Sequence, residues 1–502
     1  MKKWFSLQNG SDIRGVALEG VEGQPVTLTE PIVRTIGFAF GQWLANRTGK
    51  PASELTVSVG NDSRLSAPMV KGAVFQGLTK AGCVGFDCGL ASTPAMFMST
   101  VFENHGYDAA IMLTASHLPF NRNGMKFFLR EGGLEKTDIK EILTIAAETG
   151  ELDAVDAGVV PQVNLMDDYA AHLVNIIRTG AAAEKPLDGL KIVVDAGNGA
   201  GGYFVDKVLQ PLGADTTGSQ FLDPDGSFPN HIPNPEDKDA MDAIIAAVKE
   251  HQADFGIIFD TDVDRAGAVD KNGKPINRNR FIALISSIVL DEHPGTTIVT
   301  DSVTSTGLKW WIEDKLGGVH HRFKRGYRNV INESMRLNAE GQESWLALET
   351  SGHGALKENY FLDDGAYQIA KILIKIAQLK AAGEGTVDEM IAELPEPVEA
   401  KEYRPKINVE DFSAYADLVL EKFAEFVEQT EGWSLTPKNY EGVHVTCDSS
   451  AGTGWALLRK SLHDPQIPLN VESDEQGGTA VIAAKIQEFL SQFDGLDLPV
   501  MP

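Results

Sequence analysis

The chain has 502 residues, 43% of them hydrophobic and 23% charged, which supplies several cores and is too much for one. With 44 Lys and Arg against 71 Asp and Glu the net charge is −27, so nucleic acid and anionic membrane surfaces are excluded as partners, and any phosphate site must be built locally from Arg, Lys and backbone N–H groups. No apolar run reaches bilayer length, Met1-Lys2-Lys3-Trp4 does not lead into a signal-peptide core, and Cys83, Cys88 and Cys447 lack metal-ligand spacing; a cytoplasmic location is expected.

Taken alone, Asp12-Ile13-Arg14-Gly15 reads as a surface turn that sets a cation beside a flexible glycine. Ile32, Val33, Ile36, Phe40, Trp43 and Leu44 recur at helical spacing, and Leu55–Val59 and Ala109–Leu113 read as buried strands. Asn61-Asp62-Ser63-Arg64 follows the first of these strands and places another arginine at a strand end. Thr114-Ala115-Ser116-His117-Leu118-Pro119 follows the second and has the form of a phosphoserine loop. A serine hydroxyl is a poor nucleophile, and its phosphate ester a poor donor, without a cation for the phosphoryl oxygens and an acid or base beside the bridging oxygen. His117 and Lys126 lie close to Ser116 in sequence. The competing reading of the tetrapeptide is a helix N-cap.

Glu148–Pro161 is rich in Gly, Asp and Val without a clear period and separates a first unit from a second. Lys191–Val194 reads as a strand, and Asp195–Gly202 after it is glycine-rich: it either cradles phosphate or makes a tight turn for close strand–helix packing. Phe255–Phe259 reads as another buried strand, with Asp260, Asp262 and Asp264 at alternate positions in the turn that leaves it and Arg265 at the end. Three carboxylates so close repel one another, and a hard divalent cation such as magnesium removes that cost. A dehalogenase-type phosphatase also carries aspartates after a strand; there the first aspartate is the nucleophile and Ser116 has no role. Lys271–Pro275 reads as a turn, and Thr297–Thr300 and Trp345–Leu348 as strands. Glu349-Thr350-Ser351-Gly352-His353-Gly354 offers a carboxylate, a hydroxyl and an imidazole suited to adjacent sugar hydroxyls, and Asp363-Asp364-Gly365 starts a helix. Leu394–Pro405 reads as a linker because its prolines and charges oppose helix and core alike. Trp455–Leu458 leads into Arg459-Lys460-Ser461-Leu462-His463-Asp464-Pro465, where basic side chains beside a hydroxyl-bearing turn suit a phosphate.

This alternation predicts an α/β protein: three similar α/β units with mixed or parallel sheets and a distinct C-terminal piece, divided as 1–155, 156–275, 276–395 and 396–502. In such folds the chemistry sits on loops at strand ends, which is where both the serine loop and the acidic loop fall.

Taken in order, these stretches resemble the α-D-phosphohexomutase family, and more closely its phosphomannomutase/phosphoglucomutase branch. The stretches that carry the resemblance are Asp12–Gly15, Thr114–Pro119 with Asn123–Lys126, Asp195–Gly199, Pro224–His231, Asp260–Arg265 and Glu349–His353. The resemblance implies three α/β domains and a C-terminal α+β domain like the TATA-binding protein, set around a central cleft. It implies that Ser116 carries the phosphoryl group and that Mg²⁺ is held by Asp260, Asp262, Asp264 and a phosphate oxygen on Ser116. It also implies a phosphosugar substrate, a hexose 1- or 6-phosphate of mannose or glucose, turned over through a hexose 1,6-bisphosphate that also serves as activator. Arg14, Lys126 and Arg265 would stabilise the transferring charge, and His117 and His353 would transfer protons. Glu349, Ser351 and His353 would bind the sugar, and Arg459 with Ser461 its non-reacting phosphate.

The chain departs from the family pattern at Leu462, Tyr327 and Val303, the last standing where a substrate-binding lysine is common. Arg325 or Arg328 is the candidate to compensate. Phosphoglucosamine mutation, hexose-bisphosphate synthesis and sugar-phosphate binding without catalysis are the alternative readings.

Overall fold

Ala109–Leu113 is buried at all five positions, as a strand must be when both faces of its sheet are covered. It lies between Arg122–Leu129, antiparallel to it, and Thr56–Asn61, parallel to it, in a seven-stranded mixed sheet. Glu30–Thr48 opens with Pro31 in its first turn, where the missing N–H costs nothing. The apolar stripe read from its sequence, from Ile32 to Leu44, is buried against the sheet. Asp12–Val16 is a strand of the same sheet, paired with Arg122–Leu129 and buried at Asp12. The surface turn expected there is absent: Asp and Gly favour turns locally, but the pairing partner supplied by a distant segment decides.

The computed structural model describes residues 2–448, 452–461 and 464–501. Leu462 and His463 therefore lie outside the described residues. The chain folds as two compact units, Met1–Phe281 with Ser351–Met390, and Ile282–Thr350 with Ile391–Pro502.

The first unit holds the seven-stranded sheet and a second one in the order Pro275–Ile276, Ala266–Asp270, Phe255–Phe259, Ile192–Asp195. Ile192–Asp195 and Phe255–Phe259 run parallel and are buried throughout. Lys238–His251 covers a face of this sheet through Ile244, Ala247 and Val248. The turn expected at Lys271–Pro275 joins the antiparallel strands Ala266–Asp270 and Pro275–Ile276. The hairpin of Gly354–Leu356 and Leu362–Asp363 leads into the helix Gly365–Ala382, N-capped by Asp364.

In the second unit Thr297–Thr300 lies between Val319–Arg322 and Ser344–Leu348, parallel to both. A five-stranded antiparallel sheet follows, ordered Glu399–Tyr403, Leu469–Ser473, Gly454–Leu458, Val443–Cys447, Trp433–Leu435. The helices Phe412–Glu428 and Gly478–Leu490 pack on it around Val419, Phe423, Ile482 and Ile486. Part of the expected linker, Glu399–Tyr403, is thus an edge strand. Charges suit an edge, and Glu399 uses its own to accept from Gly477 N and Thr479 Oγ1 at the start of the last helix. The architecture is three α/β domains followed by a C-terminal α+β domain. No helix among the described residues is long and apolar enough to cross a membrane.

Candidate active site

Ser116 sits three residues beyond the end of Ala109–Leu113, 3% exposed, with φ +51°. No helix begins there, so the N-cap reading does not apply. Its amide donates to Thr114 Oγ1 at 2.9 Å. Its Oγ accepts from Arg265 Nη2 at 2.9 Å and lies 3.3 Å from both Asp260 Oδ2 and His117 Nδ1. The two loops found at strand ends in the sequence therefore meet, with the hydroxyl between a carboxylate, a guanidinium and an imidazole.

Asp260, Asp262 and Asp264 follow the buried strand Phe255–Phe259, and each is 0% exposed. One carboxylate oxygen from each lies within 4.8 Å of the others. Asp262 Oδ1 and Asp264 Oδ1 are buried with no hydrogen-bond partner, a costly condition for an anion. Burial, and then the neighbouring Asp264 charge, push the Asp260 carboxyl well above the ordinary range against the pull of Arg265. An all-oxygen donor set with unpartnered oxygens and mutual repulsion fits a hard divalent cation. A second acidic group, Asp264 with His353 and Asp363, is already partly neutralised internally, because His353 Nδ1 lies 2.6 Å from Asp363 Oδ2.

Cations surround the aspartates. Lys126 Nζ, on Arg122–Leu129, donates to Asp264 Oδ2 at 2.5 Å and lies 3.7 Å from Asp262. Arg265 Nε donates to Asp260 Oδ2 at 3.1 Å and its Nη1 to Asn234 Oδ1 at 3.3 Å. Burial opposes the charge of Asp264, yet Lys126, His353 and Arg265 outweigh it and hold that carboxyl well below the usual range. The two histidines are driven apart. Burial, with Arg265 and Arg14 nearby, lowers His117 to about 3, so it is neutral. Its Nδ1 accepts from Arg265 Nη2 at 2.6 Å. Burial would also lower His353, but Asp363 and Asp264 raise it to about 9. The site thus holds one neutral imidazole beside the Ser116 hydroxyl and one cationic imidazole beside Asp264 and Asp363, environments that push the two pKa values apart. Arg14 is engaged with Asp12 Oδ2 at 2.7 Å, with its charge felt at His117.

The glycine-rich stretch Asp195–Gly202 supports the acidic loop. A Cβ on Gly199 would lie 2.6 Å from Thr261 O, while Ala200 N donates to that carbonyl at 2.8 Å. Close packing, the second of the two sequence readings, accounts for these glycines. His231 Nε2 pairs with Asp195 Oδ1 at 3.0 Å, and its Nδ1 lies 2.9 Å from Ile232 O. Both ring nitrogens face acceptors, so the ring is held as an imidazolium. Burial would lower its pKa, but Asp195 and the Ile232 carbonyl raise it above the ordinary value of 6.5. This stabilisation is complete below the ordinary value and is lost as pH rises through the raised one. The Tm of the protein, measured against that of His231→Asn, is expected to fall as pH rises above 6.5 and through the raised pKa of His231; equal slopes for both proteins would contradict the pairing.

The residues expected from the sequence to read sugar and phosphate divide between the units: Ser351 and His353 belong to the first, and Glu349, Arg459 and Ser461 to the second. Glu349 Oε1 accepts from Gly326 N at 2.6 Å. Arg325 N donates to Glu441 Oε2 at 3.1 Å, and its guanidinium lies 3.9 Å from Asp301 and from Glu402. Arg459 is 6% exposed, its Nε without a hydrogen-bond partner. Burial and then the Arg325 charge lower its pKa, so two arginines stand close enough to repel. Ser461 Oγ accepts from Asp464 N at 3.3 Å. Val303, one of the three departures, packs with Trp455 and Leu457 in a small apolar cluster, an unsuitable place for an ammonium group.

Sequence reading misses Thr93, whose Oγ1 donates to Asp262 Oδ2 at 2.5 Å, and Asp363, the partner of His353. Thr93 carries no signal beyond Ser92-Thr93-Pro94, an ordinary helix start.

Family models match three stretches: phosphoglucomutase/phosphomannomutase α/β/α domain I over residues 6–153, domain II over 167–273 and domain III over 277–398. A phosphomannomutase/phosphoglucomutase of Pseudomonas putida is 33% identical over 92% of each chain, and a phosphoglucomutase of Neisseria meningitidis 30% identical over 95% of this chain and 94% of its own. The crystal structure of a phosphoglucomutase/phosphomannomutase family protein from Burkholderia thailandensis superposes with TM-score 0.78 at 29% identity, covering 99% of both chains. The chain therefore belongs to the phosphoglucomutase/phosphomannomutase family of α-D-phosphohexomutases and is a hexose phosphate mutase.

Proposed function

We propose that this enzyme interconverts the 1- and 6-phosphates of mannose, glucose or both through a phosphoserine at Ser116. The phosphoserine would donate its phosphoryl group to the free hydroxyl of the bound hexose phosphate, breaking the P–Oγ bond and forming a hexose 1,6-bisphosphate. The other phosphate of that bisphosphate would then return to Oγ, which regenerates the enzyme. The observation that carries this reading is the placement of Ser116 Oγ, 2.9 Å from Arg265 and 3.3 Å from Asp260. A dehalogenase-type reaction at Asp260 fits less well, because Arg265 and its own backbone N–H already occupy that carboxylate.

Asp260, Asp262 and Asp264, with a phosphate oxygen on Ser116, would hold Mg²⁺, which when bound supplies charge neutralisation for the phosphoryl oxygens. Arg265 reaches Oγ directly and is assigned the bridging-oxygen charge. Lys126 and Arg14 supply further positive charge. Neutral His117 is the candidate base and cationic His353 the candidate acid. Glu349, Ser351 and His353 are assigned to the sugar hydroxyls, and Arg459 with Ser461 to the distal phosphate. Hexose 1,6-bisphosphate would activate the enzyme by phosphorylating Ser116. We assign the four segments 1–155, 156–275, 276–395 and 396–502 as its domains and the cytoplasm as its location.

Arg325 is the compensating cation for Val303 and Tyr327, because it stands beside Arg459. Arg325→Ala should raise the Michaelis constant about tenfold, the loss of one charge-assisted contact to phosphate; unchanged constants in both Arg325→Ala and Arg328→Ala would refute compensation. The function itself is tested by phosphorus NMR with Mg²⁺ and a trace of glucose 1,6-bisphosphate, offering mannose, glucose and glucosamine 1-phosphates separately. Conversion of mannose or glucose 1-phosphate to the 6-phosphate is expected. Turnover of glucosamine 1-phosphate alone, or bisphosphate accumulating without isomerisation, would redirect the assignment.

A further inference from the structure

The arginine of Asn61-Asp62-Ser63-Arg64 is not available to a ligand. Its side chain is 0% exposed, and its guanidinium gathers four carbonyl groups, three of the turn that carries the serine and one of the strand that follows it. Nη2 donates to Ser116 O at 2.5 Å and Leu118 O at 2.6 Å, and Nη1 to Pro119 O and Arg122 O, both at 2.9 Å. Asp62 anchors the arginine from behind: Oδ1 accepts from Arg64 N at 2.9 Å, and Oδ2 lies 3.3 Å from Nε. Asp62 N in turn donates to Leu113 O at 3.1 Å, which ties the pair to the end of the strand that leads into the serine loop.

The stretch Pro224–His231, to which neither the metal nor the sugar reading gives a task, supplies the other side. The Phe228 ring lies 5.3 Å from the Arg64 guanidinium carbon. A Cβ on Gly226 would fall 2.6 Å from Arg64 Cα and 2.5 Å from Ser63 O, so only glycine permits this approach. Arg64 is thus fixed by the Asp62 turn on one side and the Phe228 loop on the other, with three Nη hydrogen bonds directed at the serine loop and the fourth at Arg122, the first residue of the strand that follows it.

The loop needs such fixing. A non-glycine residue at φ +51° persists only where its surroundings over-determine it, and the Ser116 peptide plane sets the direction in which Oγ leaves the chain. We propose that Arg64, clamped by the Pro224–Pro229 loop, is the positioning residue that aims Ser116 for phosphoryl transfer. It touches neither substrate nor reacting atoms. A lysine offers a point charge with three donors and cannot span four carbonyls as a planar fork does.

The inference rests on the phosphoserine reading, and the test separates the two. Arg64→Lys is compared with the wild type and with Ser116→Ala for kcat and KM on glucose 1-phosphate, for phosphorylation of Ser116 by glucose 1,6-bisphosphate, and for Tm. In folded Arg64→Lys, kcat and the phosphorylation rate should both fall about 100-fold, the effect of displacing a reacting group by an ångström, while KM changes less than about threefold. Wild-type kcat in Arg64→Lys, or a loss carried by KM or by the folded fraction, would overturn the positioning role even if Ser116→Ala is inactive. Turnover retained in Ser116→Ala would instead remove the phosphoserine reading. If Arg64→Lys does not fold, Phe228→Leu decides, since it keeps every Arg64 hydrogen bond and removes only the ring. An approximately tenfold lower kcat at constant KM is expected there, and unchanged kcat would overturn the clamp.

Discussion

Ser116→Ala should lower turnover about 100,000-fold, the scale on which removal of a covalent nucleophile acts. The substitution should leave the protein folded. Alanine meets the same left-handed backbone as serine, and the lost hydroxyl leaves Asp260 and Arg265 still bonded to each other. Hexose phosphate binding should therefore persist, which isothermal titration can measure while intact-mass analysis checks that glucose 1,6-bisphosphate no longer phosphorylates the chain. Substantial Mg²⁺-dependent turnover by this variant would exclude a phosphoserine at position 116 and reopen the question of the nucleophile.

Asp262→Asn should separate catalysis from stability in the opposite sense. Its Oδ2 accepts from Thr93, while its Oδ1 is buried without a hydrogen bond. Asparagine keeps the shape and removes one of three crowded negative charges, so the metal-free variant should match or exceed the wild type in Tm. Its affinity for Mn²⁺, measured by calorimetry, should drop about 100-fold, and turnover should fall with it. Chelation of the wild type should likewise stop turnover, with Mg²⁺ restoring it. Unchanged Mn²⁺ affinity in Asp262→Asn would contradict the assignment of the acidic loop as a metal site.

The serine and the aspartates are legible in sequence because each motif is local: an apolar strand, then side chains whose chemistry has little other use at a strand end. Most of what escapes depends on partners far along the chain, although Asp363 stands only 10 positions from His353. Thr93 meets Asp262 across 169 positions, and Arg64 meets the Ser116 carbonyl across 52. Nothing near Thr93 distinguishes it from any threonine at a helix start. Asp12–Gly15 misleads for the same reason: its composition favours a turn, and its strand exists because Arg122–Leu129 offers it a ladder. Glu399–Tyr403 shows the converse, with charges that oppose a core yet suit the edge of a sheet.

The left-handed backbone at Ser116 sets a stability cost against the proposed chemistry of the side chain. A chain optimised for folding alone would place glycine there, since glycine adopts that conformation freely while other residues incur a cost on the order of 1 kcal/mol. The loop forgoes that stability and recovers it through the carbonyl contacts of a buried arginine. On the phosphoserine assignment, residue identity at this site answers to reactivity, and the buried arginine is what makes an uncomfortable serine permanent.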